Sequence, residues 1–134
     1  MIFGIGTDIV SIARMQALLD KHDDKIAQRI LSDAEFESFT KAVNPAAFLA
    51  KRFAAKEATA KALGTGFRDG LSLKHSSVHN NQLGRPELIF EQRAEALLSE
   101  LGIGRSFISL SDEEQYALAY VTLMEQTDDI VLDN

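Results

Sequence analysis

No cysteine occurs anywhere in the chain, and that absence closes off a block of chemistry. Disulfide bridges, thiolate metal sites and cysteine nucleophiles are excluded. Long apolar runs are missing too. No stretch approaches the roughly 20 apolar residues that a bilayer-spanning helix needs, and the first strand-like stretch carries Asp8 without a basic leader, unlike a signal peptide. The expectation is a cytoplasmic protein with no membrane engagement. Internal repeats, low-complexity tracts and linkers are also lacking, as are the glycine loops of nucleotide-binding folds. Gly4 and Gly6 begin a G-x-G pattern, but Ile9 stands where the third glycine of a dinucleotide fingerprint belongs, and no G-x-x-x-x-G-K-S/T occurs. What remains is a chain of 134 residues, 46% hydrophobic and 25% charged, suited to one globular domain with a real core.

The net charge of −6 is unevenly spread. Residues 1–40 carry −3, residues 41–68 carry +5 and residues 69–134 carry −8. A basic locus in an acidic protein suggests an anionic ligand. Nucleic acid is disfavoured, because the remaining surface would repel it.

The basic segment coincides with the clearest helix. Asn44 can cap it, Pro45 suits its first turn, and Gly64 can take the left-handed conformation that ends it. Between them lie eight alanines, the best helix formers. Phe53, Glu57 and Lys61 recur every four residues and share a face. On one reading they form an ordinary i,i+4 salt bridge, contributing about 0.3–0.5 kcal/mol. The other reading is a functional row beside packed structure.

Around this helix, residues 2–10 read as a buried strand ending near Asp8, which could cap the following helix. Residues 11–30 read as an amphipathic helix beginning with Ser11, a second candidate for its cap, and broken at His22-Asp23-Asp24. Residues 32–42 read as a helix with a Ser32/Glu35 capping box. Leu71, Leu73 and Val78 suggest a strand, paired through the turn at Asn80–Gly84 with Pro86–Phe90. Glu91–Leu101 is helical, Arg105–Leu110 and Tyr116–Met124 are strands, and Asp128, Asp129 and Asp133 fall in a frayed end. His75 and His79, about 13 Å apart on a strand at roughly 3.3 Å per residue, cannot share one metal ion. The order implies an α+β fold, a mostly antiparallel sheet packed on a long central helix.

Two stretches carry a resemblance. Gly4-Ile-Gly-Thr-Asp-Ile-Val10, with Phe48-Leu-Ala-Lys-Arg-Phe-Ala-Ala-Lys-Glu-Ala58 and Lys61-Ala-Leu-Gly-Thr-Gly66, resembles the holo-[acyl-carrier-protein] synthases, the small 4′-phosphopantetheinyl transferases. The likeness extends through Gly84-Arg-Pro86 to the closing Ile108-Ser-Leu-Ser and Tyr116-Ala-Leu-Ala segments. It implies a 4′-phosphopantetheinyl transferase-like fold. The implied reaction moves the phosphopantetheine arm of coenzyme A to a serine of apo-acyl carrier protein in fatty acid synthesis, releasing adenosine 3′,5′-bisphosphate. It implies a magnesium ion held by Asp8 and Glu57, and a homotrimer with sites between neighbouring subunits. Glu57, directly or through a water on the ion, becomes an acceptor for the serine proton, and Lys61 balances charge on the leaving phosphate.

Coenzyme A contacts are expected from Arg52, Lys61, Gly64, Thr65, Gly66 and Ser109, although the glycines also read simply as a helix stop. Arg52 lies about 140° around the helix from Glu57 and would meet another part of the ligand or a neighbour's site. Asp112 departs from the family, where histidine is common. An acidic carrier protein needs a local basic surface, and Arg14, Lys21, Lys25 and Arg29 offer one around Leu18 and Ile26. The plainer reading of these charges is a solvated helix. Two alternatives stay open: a transferase serving carrier proteins of polyketide or peptide synthesis, and a silent oligomeric binding module with the same fold.

Overall fold

The computed structural model describes residues 1–127. The expected frayed end at Asp128, Asp129 and Asp133 lies outside the described residues. The element order is β1 (Ile2–Ser11), α1 (Ile12–His22), α2 (Lys25–Ile30), α3 (Asp33–Thr40), α4 (Pro45–Leu63), a 3₁₀ turn (Leu73–His75), β2 (Ser76–Asn80), β3 (Pro86–Phe90), α5 (Gln92–Leu101), β4 (Ile103–Asp112) and β5 (Tyr116–Glu125). The class is α+β, and every strand pairing is antiparallel. The strands form two sheets rather than one: a three-stranded sheet ordered β1–β5–β4, and a separate β2–β3 hairpin.

Local chemistry sets most boundaries. Asn44 Oδ1 accepts the Ala47 N–H at 3.1 Å, Pro45 occupies the first turn of α4, and Gly64 ends it with φ of 84°. Ser32 and Glu35 form the expected reciprocal box at α3. Two expectations fail. β1 runs on past Asp8 to Ser11, so Asp8 does not cap α1; the other candidate, Ser11, does, its side chain accepting the Arg14 N–H. Leu71 and Leu73 precede the strand rather than forming it. Ser72 accepts the Lys74 N–H and His75 Nδ1 accepts the Ser72 N–H. These local bonds favour a 3₁₀ turn over extended chain.

α4 lies across the inner face of the three-stranded sheet. Ala54, Ala55, Ala58 and Ala62 of the helix share a core with Ala119, Val121 and Leu123 of β5. Small side chains on both surfaces permit a very short approach. A Cβ on Gly6 would come within 2.0 Å of the Ala58 carbonyl oxygen, and one on Gly4 within 2.1 Å of that of Ala62. α1, α2 and α3 cover the first half of α4 through a second core containing Ile12, Met15, Ile30, Phe39 and Leu49.

The interior also contains charge. Lys56 is 1% exposed. Its Nζ lies 2.8 Å from Glu35 Oε1 and donates to the backbone oxygens of Leu73 and Ser76. Glu35 Oε2 accepts the Val78 N–H at 2.9 Å. Arg52 stacks on Phe48 at 4.5 Å, and its Nε stands 3.7 Å from Glu35, too far for a hydrogen bond. Burial pushes both cations below their ordinary pKa values, and Glu35 opposes this.

Gly6→Ala should destabilise the protein by about 3 kcal/mol or more, because backbone blocks the new methyl group and must move. Urea unfolding measures it. A loss under about 1 kcal/mol would show that β1 and α4 can part without cost.

Candidate active site

The glycines that let β1 meet α4 also aim Asp8. Side chains alternate along a strand, so Asp8 shares the inward face with Gly4 and Gly6. There it meets the open face of α4. Lys61 Nζ donates to Asp8 Oδ1 and to the Thr7 carbonyl oxygen, each at 3.0 Å. The Asp8 side chain is 17% exposed and that of Lys61 is 53% exposed. The helix-surface salt bridge read from spacing is therefore not the pairing found. Lys61 reaches across to the strand instead of back along the helix.

Glu57, one turn before Lys61, is half-buried and has no ion-pair partner among the described residues. Burial raises its pKa first, the negative charge of Asp8 raises it further, and Lys61 opposes both. The result is a basic carboxylate beside another carboxylate. This donor set suits a hard cation, which takes oxygen ligands and fills its remaining positions with water or phosphate oxygens. No group of three or more His, Asp or Glu side chains that could hold a metal occurs among the described residues. His75 and His79 have ordinary partners in Ser72 and Glu87.

Asp8 and Glu57 open into a cleft of about 450 Å³. Its walls are Ser11, Arg14, Met15 and Leu18 of β1 and α1, Ile26, Arg29 and Ile30 of α2, Phe53 of α4, and Leu73. The structure thus brings Arg14, Leu18, Ile26 and Arg29 together with both carboxylates. Lys21 and Lys25 are exposed on the same helices but do not line the cleft. Gly64, Thr65 and Gly66 follow Lys61 in an open loop, where Thr65 Oγ1 donates to the Gly66 carbonyl oxygen.

Three expected features lie elsewhere. Arg52 is buried and lines a different pocket with Glu35, Phe48 and His79. Ser109 sits on the outer face of the sheet, opposite Tyr120, while α4 covers the inner face. The basic locus of residues 41–68 is largely neutralised: Arg52 and Lys56 face Glu35, Lys51 meets Asp112 at 3.3 Å, and Lys41 meets Glu37. Asp112 thus answers a lysine of the same chain.

Sequence reading also missed two contributors, Leu73 in the cleft wall and Lys56 behind it. The available signal was Arg52 and Lys56, like charges at i,i+4 on an alanine-rich helix. Such a pair demands an acidic partner from another element.

Comparison with known proteins shows the family of the chain. The profile of the 4′-phosphopantetheinyl transferase superfamily matches residues 4–121. The holo-[acyl-carrier-protein] synthase of Nitrosococcus oceani is 52% identical over 126 residues, covering 94% of this chain and 82% of that protein. The crystal structure of the Neisseria meningitidis synthase superposes with a TM-score of 0.89 at 45% identity, over 93% of this chain and 100% of that one. That of the Bacillus anthracis synthase, in complex with coenzyme A (3′,5′-ADP), superposes with a TM-score of 0.78 at 33% identity, over 94% of this chain and 99% of the other. On this breadth of match, the chain belongs to the 4′-phosphopantetheinyl transferase superfamily.

Proposed function

We propose that this chain is a holo-[acyl-carrier-protein] synthase of the cytoplasm. It moves the 4′-phosphopantetheine arm of coenzyme A to a serine hydroxyl of apo-acyl carrier protein for fatty acid synthesis. The observation that carries the reading is the Asp8–Glu57 carboxylate pair, with Lys61, at the end of a cleft edged by Arg14 and Arg29. The names of the similar proteins support it. No helix among the described residues is long and apolar enough to cross a membrane.

In the reaction the serine oxygen bonds to the β-phosphorus of coenzyme A. The bond from that phosphorus to the bridging oxygen breaks, and adenosine 3′,5′-bisphosphate leaves. Asp8 and Glu57 would hold magnesium, which when bound neutralises charge on the pyrophosphate. Glu57, facing the cleft, takes the serine proton. Lys61, fixed by Thr7 and Asp8, places a cation where the leaving phosphate gathers charge. Gly64, Thr65 and Gly66 leave backbone room for the nucleotide. Arg14 and Arg29 attract the acidic carrier, Leu18 and Ile26 give the docking surface an apolar centre, and Lys21 and Lys25 extend its charge.

The assembly we propose is a homotrimer. The outer face of the three-stranded sheet supports self-association: Ile5, Ile9, Leu118 and Tyr120 lie exposed there with Phe107. An apolar sheet face of this kind marks an interaction surface, and in a closed ring each site can draw residues from a neighbour. Ser109, exposed on that face and remote from the cleft of its own chain, then serves coenzyme A at an adjoining subunit, whereas Arg52 is held inside by Phe48 and Glu35.

Incubation with apo-carrier protein, coenzyme A and magnesium should add one phosphopantetheine to the carrier by mass spectrometry. An unmodified carrier overturns the reading. Metal binding is read separately by heat denaturation. Magnesium should raise the Tm of the wild type but not of Asp8→Asn or Glu57→Gln, since a ligand stabilises only the state that binds it.

Without metal, the Glu57 carboxyl should titrate above an ordinary glutamate, higher still in Lys61→Met and lower in Asp8→Asn, as carbon-13 NMR would record. A raised folded pKa means that the folded protein binds this proton more tightly than the unfolded chain. Its stabilising contribution is then present at acid pH and lost as pH rises through the folded value. Metal-free Glu57→Gln should accordingly melt at or above the wild-type temperature at pH 7, although it transfers nothing.

Light scattering should give the mass of three chains, and Tyr120→Arg should reduce it to one. A single-chain mass for the active wild type refutes the assembly. Arg14→Glu should raise KM for the carrier roughly tenfold, leave affinity for coenzyme A nearly unchanged, and reduce the salt sensitivity of docking. Equal losses for both substrates would remove Arg14 from the docking surface.

A further inference from the structure

We infer that Lys56 and Glu35 form a buried clamp on the Leu73–Ser76 segment that sets Leu73, its residue in the cleft wall, against Glu57, making Lys56 a positioning residue for the transfer reaction. The inference rests on the proposed function for its kinetic consequence only.

An ammonium has three N–H donors, and three acceptors meet this one: Glu35 Oε1 and the carbonyl oxygens of Leu73 and Ser76. Its donors are thus matched in a place closed to water. Glu35 fixes the other side of the same segment through the Val78 N–H, and it is anchored in α3 by the Ser32 N–H at 3.0 Å. Four elements therefore converge on one ion pair: α3, α4, the 3₁₀ turn and β2.

What the clamp holds is functional wall. The Leu73 side chain lines the cleft with Ile26, Phe53 and Glu57, while its carbonyl oxygen is bonded to Lys56. Lys56 and Glu57 are consecutive residues on one helix. One side chain faces into the core and grips the wall from behind, and the next faces the cleft. The spacing between carboxylate and wall is thus set through a single backbone step. A buried ion pair is weak evidence for stability, since apolar residues of similar volume often fold as well. Its use here is to satisfy two backbone carbonyls that a methionine would leave bare.

The test joins a double-mutant cycle to amide exchange. Lys56→Met and Leu73→Ala should each lower kcat about 10–100-fold per folded molecule, with KM for coenzyme A within about twofold. The double variant should be no slower than the worse single one, because both act through the same wall. Losses that multiply, or a kcat per folded molecule equal to wild type in Lys56→Met, overturn the proposal. Amides of residues 73–78 should exchange at least tenfold faster in Lys56→Met, while those of β4 and β5 keep their rates. Unchanged exchange at residues 73–78 overturns the clamp whatever the activity. A wild type that transfers nothing overturns the functional reading instead, and the exchange data still judge the clamp. If Lys56→Met fails to fold, Glu35→Gln loosens the same contact at constant shape, and the cycle and exchange are read on it.

Discussion

Everything at the site depends on how closely β1 lies against α4. The two elements meet backbone to backbone, because Gly4 and Gly6 offer no Cβ and α4 answers with alanines. Close-packed interiors do not absorb an extra methyl group there without moving main chain. The same contact fixes the register of function. With Gly6 seated over Ala58, the next inward residue of β1 is Asp8, within reach of Lys61 one turn beyond Glu57. A carboxylate from the strand and a carboxylate from the helix become neighbours because two glycines precede the first and alanines surround the second.

α4 then separates its charges by environment. Lys56 and Lys61 are both lysines on one alanine-rich helix, yet one is sealed in the core and the other half-exposed in the cleft. The core lysine is bonded to backbone and Glu35, and the cleft lysine to Thr7 and Asp8. Each is tied to a second element, so the helix is fixed at the back by the 3₁₀ turn and at the front by β1. A helix held on two sides is a suitable mount for Glu57, since small displacements of reacting groups cost large factors in rate.

The fold was legible where short-range chemistry sufficed. Asn44, Pro45 and Gly64 bound α4 as their backbone preferences require, and Ser32 with Glu35 closes α3. Asp8, Glu57 and Lys61 were legible as motif residues, and the structure brings them together. Long-range effects were not legible. Glu35 read as a cap and nothing more, because its second task depends on β2 arriving from residue 78. The basic segment read as surface potential, but Arg52 and Lys56 spend their charge inside. Leu71 and Leu73 alternate like strand residues, whereas Ser72 and His75 bond locally and turn the chain. Periodicity over so few residues cannot separate the two outcomes.

The electrostatics of Glu57 connect stability to chemistry. A half-buried carboxylate facing Asp8, with no ion-pair partner among the described residues, is an unfavourable arrangement for the fold alone, and Lys61 relieves it only in part. A protein selected for stability alone would place a neutral side chain there. What removes the strain is positive charge at the site, and a hard cation between two carboxylates is the chemistry that provides it. Without the cation, the same field holds the Glu57 carboxyl above the ordinary glutamate range. The destabilising feature of the site and its fitness for a hard cation therefore have one cause, the burial of Glu57 beside Asp8.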